Sequence, residues 1–135
     1  MTRADFQRLA DKRIREAKTL LDAGEYDGAY YLGGYSVECG IKACIIKRLM
    51  SSDVWPERRF SDDCYRHDLK LLMRLADLEV AVDGAGPIAV RWVQVKDWTE
   101  QSRYEDGKLE AFVRQFYEVI TDPVEGVLPW LKGRW

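Results

Sequence analysis

The chain has 135 residues, of which 47% are apolar and 33% charged, with 21 Lys and Arg against 23 Asp and Glu. That length holds one ordinary core, and that composition excludes a disordered chain. A net charge of −2 supplies no global basic field for long nucleic acid, although it is compatible with a local basic patch.

Taken in order, the N-terminal stretch MTRADFQRLADKR lacks the apolar core of a signal peptide, so the cytoplasm is the expected location. Phe6, Leu9, Ala10, Ile14, Ala17, Leu20 and Leu21 recur at three- and four-residue spacing and predict a first helix over the opening 22 residues, stopped at Gly24. A second helix is expected over roughly 26 to 50. It is apolar nearly all round, as a helix surrounded by others would be, but it carries Glu38, Lys42 and several glycines and is poor material for a membrane span. Residues 51 to 66, SSDVWPERRFSDDCYR, lack periodicity and read as a loop. A third helix is expected to start near His67, with Leu69, Leu72, Met73, Leu75 and Ala76 inward.

DGAGP, 83 to 87, reads as a turn with Pro87 at the first position of a fourth helix. The following IAVRWVQV has strand propensity, but Ile88, Trp92, Val95 and Trp98 or Thr99 fit one helical face and a lone strand would have no partner. Helix is favoured. A fifth helix is predicted from about 108 through Phe112, Phe116 and Ile120. Thr121 or Asp122 as N-cap and Pro123 in the first turn then predict a short final helix. The fold class is therefore all-α, an up-and-down bundle of about five helices in a single domain over 1 to 135.

The catalytic inventory is thin. A lone histidine, His67, rules out a multi-histidine metal centre, and Cys39, Cys44 and Cys64 lack zinc-site pairing and any CxxC spacing, so no metal or cofactor is expected. GYSVE lacks the second glycine of a nucleophile elbow, and DGAG lacks the lysine and preceding strand of a phosphate loop. Three features stand out. Glu38 and Lys42 form an i, i+4 pair that, if buried, demands further partners; with Tyr31, Gly34 and Tyr35 on the same face, it reads either as a polar network tying helices together or as a ligand-facing wall. In YRHDL, His67 could serve as acid or base and Arg66 could hold a phosphate, or His67 could simply pack at a helix start. In WTEQSRYEDG, Arg103 and Tyr104 follow a helix end, where the guanidinium could bridge carboxylates such as Glu38 or grip a phosphate. Arg8, Lys12 and Arg15 form a basic line that reads as a solvated face.

LLDAGEYDGAYYLGGYSVECGIKACI, then HDLKLLMRLA, VKDWTEQSRY and DPVEGVLPWLKGRW occur in this order between Leu20 and Trp135. Together they resemble the HEPN domain family, all-α proteins named for a nucleotide-binding domain of higher eukaryotes and prokaryotes. The helix with Glu38 and Lys42 is the most specific part of the likeness, and SRY after a tryptophan-containing helix the next. The resemblance implies a helical bundle, often a homodimer, associated with nucleotide binding and with a separate minimal nucleotidyltransferase partner in two-gene modules of toxin–antitoxin type. Some branches are ribonucleases marked by Arg, four to six residues, then His. This chain departs from that motif: Phe60, Ser61 and Asp62 occupy the positions for Arg, and Arg59 is one residue too far from His67. The expectation is a non-catalytic domain in which Arg103 and Arg66 hold phosphate, Tyr104 or Tyr35 stacks, and Glu38 and Lys42 orient the set. The alternatives are a metal-independent ribonuclease using His67 with a rearranged motif, which makes RNA a partner, and a purely structural dimerisation module.

Overall fold

The computed structural model describes all residues, Met1 to Trp135. It contains eight α-helices and no strand. Helix α1 (Arg3–Asp22) starts at a reciprocal cap in which the Thr2 hydroxyl accepts from the Asp5 amide while the Asp5 carboxylate accepts from the Thr2 amide at 2.8 Å. Its inner stripe buries Ala10, Ala17 and Leu21. The chain reverses at Gly24, whose φ of +79° lies in the left-handed region that glycine adopts without strain. Helix α2 (Tyr26–Ser51) then runs back against α1, and the Ser36 hydroxyl donates to the Ala10 carbonyl at 2.7 Å across the buried seam.

The near-absence of a polar face on α2 has a simple cause: it is the central helix. Its other sides meet α4 (Leu69–Leu75), α7 (Glu110–Thr121), α8 (Val127–Lys132) and a 3-10 turn at Glu100–Tyr104. One continuous core runs through these contacts, from Val37, Ile41 and Ile45 to Leu72, Trp92, Trp98, Phe116, Ile120 and Leu131. No helix is long and apolar enough to cross a membrane.

Around this centre the chain is more finely divided than its periodicity suggests. The stretch expected as a loop contains helix α3 (Arg58–Asp63), whose Phe60 packs against the core. The helix expected from His67 begins at Leu69, because the Asp68 carboxylate caps it by accepting from the Leu71 amide at 3.0 Å. A one-turn helix, α5 (Glu79–Asp83), precedes the turn at 83 to 87. Helix α6 (Pro87–Val95) settles the ambiguous segment as helix, with Pro87 in its first turn and Ile88, Trp92 and Val95 buried. On α7, Phe112 is 51% exposed, and Val113, Phe116, Val119 and Ile120 carry the inner face.

The final helix also begins later than expected. The Asp122 carboxylate accepts from the amides of Val124 and Glu125 at 2.9 and 2.8 Å, which closes a turn around Pro123 instead of capping a helix. Helix α8 follows from Val127, with Gly126 as its N-cap.

Candidate functional site

Glu38 is the only ionisable side chain among the fully buried large residues, with 2% of its surface exposed. Stripping water from a carboxylate costs several kcal/mol unless its oxygens find donors. Here they do. Lys42, one turn along α2, donates from Nζ to Oε1 at 2.9 Å. His67 Nδ1 lies 2.9 Å from Oε1 and 3.1 Å from Oε2.

His67 is held in place from the chain itself. It sits between the end of α3 and α4, two residues before Leu69, which is fully buried, and one before the capping Asp68. The Asp68 cap and the Leu69 anchor fix the backbone on its C-terminal side, so the imidazole has little choice but to lie over α2. Its outer nitrogen, Nε2, lies 3.1 Å from Glu100 Oε2.

Glu100 is placed through Gly34 of α2. A Cβ on Gly34 would lie 2.2 Å from the Trp98 indole, so only glycine lets that ring seat directly on the helix backbone. Tyr31 stacks on the other part of the same ring at a centroid distance of 6.0 Å. With Trp98 locked, the 3-10 turn two residues on carries Glu100 over His67. Gly34 and the buried glutamate of YYLGGYSVE thus belong to one construction, whereas Gly33 faces Phe116 and Ile120 of α7.

Arg103 does not reach Glu38 as its third charge; His67 takes that position. Arg103 lies 3.7 Å from Glu100 and its guanidinium sits 4.9 Å from the Tyr104 ring centroid. Tyr104 and Tyr31 beside it push the Arg103 pKa above its ordinary value. The result is a chain of contacts that runs Lys42, Glu38, His67, Glu100, Arg103. No family model, curated protein or solved structure matches the chain.

Of the residues picked out from sequence, the structure joins Glu38, Lys42 and His67 directly and Arg103 at one remove. Arg66 and His67 line a polar groove of about 500 Å³ together with Tyr65, Lys70, Lys96 and Gln101. Lys70 is paired with Asp97 at 3.2 Å, whereas Arg66 and Lys96 have neither an ion pair nor a side-chain hydrogen bond. Tyr35 faces a different opening on the far side of His67, and the exposed Tyr104 lines neither. Burial raises the Tyr35 pKa, aided by Cys39 and Glu38 nearby.

Sequence reasoning passed over Glu100 and Lys96. Glu100 lies inside the WTEQSRY stretch, but a single carboxylate on an exposed-looking segment gives no signal until Trp98 is known to be buried. The cysteines are chemically quiet, since burial pushes the Cys39 thiol up to about 12 and Cys44 up to about 11. No group of three or more His, Cys, Asp or Glu side chains is arranged to hold a metal ion.

Proposed function

We propose that the chain is a non-catalytic HEPN-type domain that binds a nucleotide, with the phosphate held by Arg66 and Lys96 in the groove beside His67. The observation that carries this reading is that, on one groove of about 500 Å³ whose walls also hold Asp68, Asp97 and Glu100, Arg66 and Lys96 are the two cations that no carboxylate has engaged. Phosphate oxygens accept strong charge-assisted hydrogen bonds from such groups, and guanidinium geometry suits them best. Tyr65, exposed at the rim, offers a ring for the base. Glu38 and Lys42 act at a distance by fixing His67, and Arg103 steadies Glu100. By resemblance, the same proposal includes a homodimer and a minimal nucleotidyltransferase as partner in a toxin–antitoxin-like module.

Calorimetric titration with ATP, GTP and AMP is expected to give binding heat, and Arg66→Ala or Lys96→Ala should each weaken it about tenfold, the size of a charge-assisted contact. No heat with any of the three at moderate salt overturns the reading.

One contact favours a second reading, a metal-independent ribonuclease. A buried carboxylate on Nδ1 orients an imidazole for acid–base work at Nε2. Against it, Nε2 is engaged by Glu100, which has to move aside before the ring can take a ribose 2′-hydroxyl proton. Cleavage of total RNA in EDTA, lost in His67→Ala, would establish this reading in place of the first.

A further inference from the structure

The opening on the far side of His67 has a different chemistry from the groove. It follows α2 from Tyr35 to Leu49, between the N-terminal part of α1 and α3, and has a volume of about 520 Å³. Phe6, Ile45, Ile46, Leu49 and Phe60 are among its walls. At about 1.5 Å per residue, the stretch of α2 that it follows spans about 21 Å. A single extended alkyl chain can lie along that length of apolar wall.

Its charged lining consists of Glu38, Lys42 and His67, grouped towards the Tyr35 end. Both oxygens of Glu38 are already occupied by Lys42 and His67. An ammonium has three donors, and Lys42 uses one of them on Glu38 and has no other partner. The Lys42 side chain keeps 13% of its surface exposed and lines this cleft. The spare N–H groups of Lys42 can donate to an anionic head, whereas the oxygens of Glu38 are already engaged and offer little to a cationic one.

We propose that this cleft binds a single-chain fatty carboxylate, with its head on Lys42 and its tail along α2 against Ile45, Ile46 and Leu49. The two openings share Tyr65 and His67, but Arg66 and Lys96, which hold the phosphate in the nucleotide reading, do not line this cleft, so failure of one reading is distinguishable from failure of the other. Burying the tail supplies the affinity, and the ammonium sets which end enters and which head group is preferred.

The test is displacement of a fluorescent polyene fatty acid from the full chain by dodecanoate and by dodecanol, which have the same tail and different heads. Dodecanoate is expected to displace the probe at least tenfold better than dodecanol. Lys42→Met, its fold confirmed by circular dichroism and urea denaturation because Glu38 loses a partner, should weaken dodecanoate about tenfold and dodecanol by less than twofold. Ile46→Trp, at a partly exposed position that tolerates a larger ring, should abolish both, with helicity checked by circular dichroism. The proposal is overturned by probe binding that never rises above background, by equal displacement from the two heads, or by equal loss of both in Lys42→Met. AMP displacing the probe would instead make the cleft the nucleotide site. Self-association abolished by Ile46→Trp, with no probe bound, would make it an interface between copies.

Discussion

Glu38 shows how one side chain can be both structural and site-forming. Its carboxylate sits where an apolar residue would pack without penalty, and it is tolerable only because Lys42 and His67 occupy its oxygens. Glu38→Ala leaves Lys42 and His67 facing a void and is expected to cost about 3–5 kcal/mol, the loss seen when one partner of a buried ion pair is removed. Glu38→Gln keeps the shape and part of the bonding and should cost less, about 1–3 kcal/mol. Urea denaturation separates the two, and an alanine variant within about 0.5 kcal/mol of the parent would mean that the network does not hold the fold. At this scale the sequence revealed the pair and its need for partners, since two charges in a long apolar run cannot be solvated. It could not name the partner: His67 and Arg103 are both far away along the chain, and only the packing of α4 over α2 decides between them.

At the scale of elements, local chemistry fixed the starts and stops unevenly. The reciprocal Thr2–Asp5 cap is a purely local device. Hydrogen bonds from Thr2 and Arg8 hold the Asp5 carboxyl well below its ordinary value of 3.8. A carboxyl whose pKa is depressed by folding stabilises the folded form above its unfolded pKa and loses that contribution as the pH falls. The first turn of α1 is therefore expected to fray as the pH drops below about 4, seen as faster amide exchange at Asp5, and Arg8→Ala combined with Thr2→Val should reduce that dependence, leaving the share of the Thr2 amide. The shorter elements escaped the periodicity. Helices α3 and α5 have six and five residues, too few to repeat an apolar stripe, and α8 was displaced because Asp122 turns back on its own backbone.

Helix α2 is where local and long-range terms meet. Gly34 weakens the helix in isolation by about 1 kcal/mol relative to alanine, yet here it admits the Trp98 ring. Gly34→Ala should thus destabilise by at least about 1–3 kcal/mol through overpacking and should loosen Glu100 from His67. Trp98→Leu, by making room, should recover part of the loss in the double variant. Additive losses in that thermodynamic cycle would disprove the coupling.

Across the whole molecule, the sequence by itself determined the class of fold. Apolar spacing near 3.6, with proline and glycine at the joints, leaves a helical bundle as the one arrangement that buries every stripe, and a helix apolar on all sides has to be its centre. The ambiguous segment after Pro87 went to helix for the reason available in the sequence: a single strand would leave its backbone groups unpaired. The tertiary structure alone decided the site. It brought His67 to Glu38 across 29 positions of chain and set Glu100 on the other nitrogen of the ring. It also placed Arg66 on one opening beside His67 and Tyr35 with Lys42 on another, dividing residues that the sequence grouped as one candidate site, and it added Lys96 to the first. Periodicity is a property of neighbours along the chain, whereas the partner of a buried charge is set by which distant element packs over it.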